Sequence, residues 1–355
     1  MATLRGFDRK FYFSYIHEQG TWGTLEADAN LYPFRVTGDP LTIAPELVDD
    51  TDEVGGYEEA SSQQELSRDV SGSIGQNKVV APFLASILAY ALGASTDSTQ
   101  DTSAGRHIIT PYGTTYEVFT FSGLDLFTAS AYQAYHNLAV DSFELSTRRK
   151  GWLGLQAQLV GSGKTATSGV TVGSLGAAPT MGPALKCGDM SVFRAVDQGT
   201  TLPGTYGQGT EDLPGTGTDV SAKIRSFNWR YNNNLLRDDA YEPGSGLYRA
   251  RSERERRSQT LTFEVEFEDN TYLNYLTNQN TLGLEFDFVS GTLAGDASLY
   301  YGGQVLFPMT KLTSCRVSGG VGTLIASCEA LVMDDGTNPT VQATVFDKNT
   351  TGLLQ

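Results

Sequence analysis

Carboxylates recur at every second position in two stretches of the chain. Glu264, Glu266 and Glu268 alternate with Phe263, Val265 and Phe267; Glu285 and Asp287 alternate with Leu284, Phe286 and Phe288. Closely set acids can hydrolyse glycosides or hold calcium. A glycosidase, however, sets its acids across a cleft with aromatic platforms, whereas these repeat along regular alternation and read as the acidic side of two strands. No cation-rich segment lies between the two rows, so the face is expected to meet water, or something negative that it must not hold.

Other candidate chemistries are weaker. Gly161-Ser162-Gly163-Lys164-Thr165 imitates the end of a phosphate loop, but the motif needs Gly where Gln158 stands, and Thr165 to Val172 has no helical period. His17, His107 and His136 lie far apart and read as surface or interface residues, giving no base for histidine catalysis or zinc binding. Cys187, Cys315 and Cys328 show no metal spacing, and their odd number argues against a closed disulfide framework, so they read as buried thiols. Arg249, Arg251, Arg254, Arg256 and Arg257 form a basic run interleaved with Glu253 and Glu255. It reads as an arm that docks on an acidic neighbour, with Glu46 to Glu59 as the counterpart.

The elements that carry these residues are mostly strands. Abundant Gly, Thr, Ser, Tyr and Phe favour strands and turns. A formal net charge of −16 disfavours static binding to nucleic acid or to an anionic membrane, but not a protein past which nucleic acid slides. Met1 to Arg5 lacks the apolar core of a signal peptide, so export by that route is not expected. The apolar run from Val79 to Ala94 contains Pro82 and falls short of the roughly 20 residues of a membrane span. Within it, Pro82 to Leu92 predicts a core helix started by Pro82 and stopped by Gly93.

Strands are predicted at Lys10–Ile16, Glu65–Ile74, Thr115–Phe121, Leu138–Ser146, Trp152–Val160, Ala222–Tyr231, Gln259–Glu268, Leu282–Val289, Tyr300–Phe307, Thr310–Ser318 and Thr323–Val332, with a second helix over Asp269–Gln279. The acidic segment 33–62, the polar segment 95–106, and the Gly/Thr-rich segments 161–183 and 198–219 read as loops. The order strand, helix, strand, hairpin occurs twice. The last hairpins overlay without a gap, Ser142 on Ser314, Leu145 on Val317, Ser146 on Ser318, Leu159 on Leu331 and Val160 on Val332, which suggests duplication. The expected units are 1–183, with the acidic loop, and 184–355, with the loop 198–219 and the Arg-rich arm 237–257.

This order of features resembles the major tail tube protein of long-tailed bacteriophages. The resemblance runs through Glu26 to Gly38, Gly55-Gly56-Tyr57-Glu58, Ala85 to Ala94, Phe119 to Gly123, Ala139 to Leu145, Ile224 to Asn234, Ala330 to Asp335 and Val341 to Asn349. It implies a mainly β fold, tube-type β-sandwich domains each with a flanking helix, in a structural virion protein without active site, catalytic residues or cofactor. Such domains assemble six to a ring, as six single-domain chains or three duplicated ones, and rings stack into a hollow conduit for DNA delivery.

Under that resemblance Glu264, Glu266, Glu268, Glu285 and Asp287 are expected to line the lumen, and the arginines 249, 251, 254, 256 and 257 to contact neighbouring subunits. The expected partners are further copies of the chain and other tail proteins: tape measure, terminator and distal tail protein. DNA passes without specific binding, no membrane is involved, and the subunit is assembled in the host cytoplasm into the virion tail. The rival readings are another tail component, a distal tail hub or terminator, and a secreted β-rich carbohydrate-active enzyme.

Overall fold

A computed structural model describes residues 9–15, 21–37, 41–49, 63–99, 104–111, 118–197, 220, 223–237, 240–295, 299–319 and 322–354. Its first half contains β1 (Lys10–Ser14), β2 (Leu31–Phe34), β3 (Thr42–Asp49), β4 (Gln63–Gln76), α1 (Ala81–Leu92), β5 (Gly93–Thr99), β6 (Gly105–Pro111), β7 (Phe121–Thr128), β8 (Ala131–Arg148), β9 (Gly154–Gly161) and β10 (Thr165–Ala166). The second half contains β11 (Met190–Asp197), β12 (Ile224–Asn232), β13 (Ser258–Glu266), α2 (Thr271–Thr277), β14 (Thr281–Leu293), β15 (Tyr300–Ser318), β16 (Ile325–Val332) and β17 (Gln342–Asp347). The fold is mainly β, as the residue types require.

One open antiparallel sheet runs β3-β4-β9-β8-β12-β13-β16-β15. On β13, Leu261, Phe263 and Val265 are buried while Thr262 is exposed and Glu264 and Glu266 are half-buried, so one face packs and the other looks outward. The second layer runs β11-β14-β15-β17-β6-β5 on one side. On the other it contains β2-β1-β7-β8-β10. β8 and β15 are long enough to serve both layers, and each turns between them at a bulge. The bulges fall between Val140 and Ser142 and between Leu312 and Ser314, positions that the sequence overlay superposes. Tyr300–Phe307 and Thr310–Ser318, expected as two strands, are therefore one bent strand.

α1 begins with Pro82 in its first turn and ends at Gly93, whose φ of 94° suits a residue without Cβ. Every residue of α1 is buried, against β6, β8 and β17 as well as the core, rather than one stripe of it. Its polar groups are met locally: Ser86 Oγ lies 3.1 Å from the Tyr15 carbonyl, and the Tyr90 hydroxyl donates to the Ser14 carbonyl. The main apolar core extends across both halves, from Phe13 and Phe83 to Trp229, Phe263 and Phe307.

Two ladders cross between the halves, β8 with β12 and β6 with β17. The pairing scheme also recurs. β1 with β7, β3 with β4, β4 with β9, β7 with β8, β8 with β9 and β8 with β10 correspond to β11 with β14, β12 with β13, β13 with β16, β14 with β15, β15 with β16 and β15 with β17. In each half the helix follows the strand that pairs with the second strand of the hairpin.

Several expectations are corrected. Segment 33–62 holds β3, whose edge position explains how Pro45, lacking an N–H, fits a ladder; residues 50–62 lie outside the described residues, as do His17, the loop 198–219 and residues 115–117. The strand expected over Thr115–Phe121 begins only at Phe121, as β7, and residues 118–120 are not strand. Segment 95–106 is largely strand, because β5 pairs β6 and β6 pairs β17. Cys315 and Cys328 face each other across β15 and β16 and form a disulfide, with Cys187 left as a thiol. An odd number of cysteines does not bar one bond when a ladder sets two of them opposite.

Candidate functional site

The outward face of the eight-stranded sheet is hydrophilic and of mixed charge. Glu144, Arg230, Glu264, Glu266, Arg316 and Glu329 stand on it. The cations missing from the sequence between the acidic rows arrive from neighbouring strands. Glu266 takes Arg149 at 2.7 Å and Arg225 at 2.8 Å, and the Arg149 hydrogen bond holds its pKa below the usual carboxylate range. Glu144 takes Arg230 at 3.1 Å, Glu268 takes Lys223, and Glu264 accepts from Ser226 and Ser327. The fixed charge is thus partly neutralised by pairs worth little each at such exposure.

Glu285 and Asp287 do not share this face. Both are buried, Glu285 completely, on a β14 that is flanked by β11 and β15. Gln304 donates to Glu285 at 3.2 Å, and Arg194 occupies the register position opposite it on β11. Alternation marks two unlike faces, but it does not say that the polar one is wet.

The arginine run folds onto its own chain. Arg249 is 5% exposed, with Nη2 at 2.7 Å from Asp69 and Nη1 donating to the Gly161 carbonyl at 2.6 Å. Arg251 pairs with Glu242 and Glu253, Arg254 is buried, and Arg257 reaches the Leu92 carbonyl; Arg256 is exposed. Asp69 belongs to the first half of the same chain and lies outside Glu46 to Glu59, so these contacts are made within the chain and not with the expected counterpart.

The Gly161–Thr165 segment is likewise engaged. Its Lys164 donates to the Gly23 carbonyl, and Gly163, at φ +89°, lies where a Cβ would come within 2.1 Å of the Arg68 carbonyl oxygen. Two histidines are buried, contrary to a surface assignment. His136 is held toward its neutral form by burial and by Lys164. His107 bridges Asp97 at 2.6 Å and Asp347 at 3.2 Å, and Tyr15 donates to Asp347 at 3.3 Å. Burial alone would lower the His107 pKa; the hydrogen bonds it donates to both carboxylates outweigh that and raise it to about 9. This group ties β1, β5, β6 and β17 together.

Sequence reasoning missed a basic corner at the β8–β9 turn. Arg149, Lys150, Trp152 and Lys186 line a cavity of about 670 Å³, and Lys78 sits 5.0 Å over the Trp152 ring. Among the described residues no group of three His, Cys, Asp or Glu side chains could hold a metal ion.

A family model described as phage tail tube protein matches residues 12–326. Among solved structures, the SPP1 tail tube, determined by solid-state NMR and cryo-EM, shares 11% identity over 45% of this chain and 79% of that one, with a TM-score of 0.26. Comparison with curated proteins finds no match.

Proposed function

The chain belongs to the phage tail tube protein family, and from that premise we propose how it builds a ring and what passes through it. It is a structural subunit of a bacteriophage tail tube, a component of the virion tail that stacks with itself. The match over residues 12–326 carries this assignment and decides against the carbohydrate-active rival, since the family is structural.

Three copies form a ring of pseudo-sixfold appearance. The support is the recurring pairing scheme, in which 1–183 and 184–355 act as duplicated units fused through the β8–β12 ladder. The eight-stranded sheet ends at β3 on one side and at the last part of β15 on the other. Among the described residues no strand pairs the outer edge of Thr313–Ser318. In the repeat β15 corresponds to β8, and β3, extended by the Thr37–Gly75 bridge, corresponds to β12. Pairing β15 of one copy with β3 of the next therefore repeats between chains the junction already made within one, and successive junctions close a ring. A cryo-EM reconstruction should show three chains per ring; six complete copies would reject the duplicated-unit reading and leave the tube assignment standing.

The outward face of this sheet then becomes the lumen wall, with Glu264, Glu266 and Glu268 retained on it and Glu285 and Asp287 withdrawn because the chain itself buries them. DNA slides past without specific contact. Changing Glu264, Glu266 and Glu329 to Lys should leave the subunit folded, because each is partly or fully exposed, and should slow DNA ejection through phosphate contacts that strengthen at low salt. An unchanged ejection rate at low salt would remove the lumen assignment. Tape measure, terminator and distal tail proteins are the expected partners, and assembly takes place in the host cytoplasm.

A further inference from the structure

Cys315 stands on the last part of β15, whose outer edge over Thr313–Ser318 pairs with no described strand. It is half-buried there, whereas Cys328, opposite it on β16, is 3% exposed. Both side chains share the core face of the sheet with Phe263, which stands opposite Cys328 on β13. Cys315 is therefore the sulfur that a dissolved reagent meets first, and Cys328 is the sulfur within its reach.

The repeat shows what is missing at that edge. The overlay that sets Ser142 on Ser314 also sets Phe143 on Cys315, and across the ladder it sets Ala157 in the place of Cys328. Phe143 lies opposite Tyr231 of β12, their rings stacked at 5.2 Å, and this neighbour leaves it 3% exposed. On β3 the place of Tyr231 belongs to Ile43. Tyr231 stands opposite Gln259 and Ile43 opposite Val70, and Gln259 and Val70 lie four residues before Phe263 and Ile74, the partners of Cys328 and Ala157. Joining β15 of one copy to β3 of the next sets the half-buried Ile43 against Cys315 and covers the sulfur.

We propose that Cys315 and Cys328 form an exchange site for low-molecular-weight thiols and disulfides of the glutathione type, open in the free subunit and closed by Ile43 of the next copy in the ring. This rests on the ring proposed above for the tail tube. The Cys315 thiolate attacks a disulfide R–S–S–R, forming Cys315–S–S–R and releasing one thiolate R–S⁻. The Cys328 thiolate then attacks Cys315 Sγ, forming the Cys315–Cys328 bond and releasing the second R–S⁻. The dithiol is oxidised by two electrons, R–S–S–R is reduced to two thiols, and the two protons lost by the cysteines pass to them. Two R–SH molecules run the sequence backwards. The mixed disulfide puts R where Ile43 is to pack, so a subunit stopped at that stage cannot accept β3, and Cys328 frees the edge by displacing R. The equivalent Phe143 and Ala157 hold no sulfur, which confines the device to the junction between chains.

The test uses the full chain carrying Cys187→Ser, so that only the pair responds. Free subunits treated with oxidised glutathione and followed by mass spectrometry should pass through a single adduct and end as the internal disulfide. With Cys328→Ser added, the adduct should persist on Cys315 and ring formation should fall about tenfold, recovering when a reductant removes it. Cys315→Ser should take up no glutathione and form rings at the parent yield, because Cys328 is buried. In tail tubes isolated from particles, which need no substitution, conversion of the pair by reduced or oxidised glutathione should be about tenfold slower than in free subunits, or slower still. Rings formed at the parent yield by the Cys315 adduct would overturn the proposal, as would a pair that converts in tubes as fast as in free subunits. A chain that builds no rings whatever the state of its cysteines would instead overturn the ring on which the proposal rests.

Discussion

Trp229→Ala is expected to destabilise the chain by about 3–5 kcal/mol, a large part of the roughly 5–15 kcal/mol that a folded domain has to lose. Trp229 is fully buried on β12, the strand that joins the two halves. Its ring meets Phe143 edge-on at 4.8 Å from the first half and Phe307 at 5.2 Å from the second, and its indole N–H donates to Gln259 at 3.3 Å. Truncation opens a cavity on both sides of the joint and orphans the Gln259 acceptor. Urea unfolding followed by fluorescence and by far-ultraviolet circular dichroism measures the loss. A shift of the midpoint worth less than about 1 kcal/mol would mean that the two halves do not depend on this joint.

The second large effect concerns pH. His107 has a folded pKa of about 9 against an ordinary value of 6.5. Because the folded value is the higher one, the stabilisation is complete below pH 6.5 and is lost as pH rises through 9. The loss amounts to about 3 kcal/mol in all. His107→Gln should abolish this alkaline slope. It should also weaken the chain at pH 6, since it leaves the fully buried Asp347 without its nearby cation. Denaturant midpoints between pH 6 and 9.5 provide the check; a slope that survives the substitution would assign the alkaline loss to other groups.

The sequence was most legible where one element answers to one face. The alternation in β13 and the Pro82-to-Gly93 punctuation of α1 are local signals, and both elements formed close to the expected bounds. What could not be read was what lies across a ladder. Glu285 and Glu264 have the same pattern of neighbours in sequence, yet only β14 is packed on both faces. The arginines read as an arm for a neighbouring subunit because nothing local shows that Arg249 reaches back to Asp69. β5 and β6 hold too many polar residues to announce strands; they are strands because they pair with each other and β6 pairs with β17. Cys315 and Cys328 likewise meet only through the register of β15 and β16.

The β6–β17 ladder has a consequence for synthesis. α1 is wholly buried, and β17 is one of the strands that bury it, yet β17 leaves the ribosome roughly 250 residues after the helix. At about 5–20 residues per second the helix waits roughly 12–50 s for its cover. An apolar segment uncovered for that long is exposed to aggregation, and a nascent chain cannot complete its native core before the last strand appears. Folding of the native core therefore waits for β17. Emergence of residues 342–347, rather than of the first half, sets the earliest moment at which a subunit competent for assembly can exist.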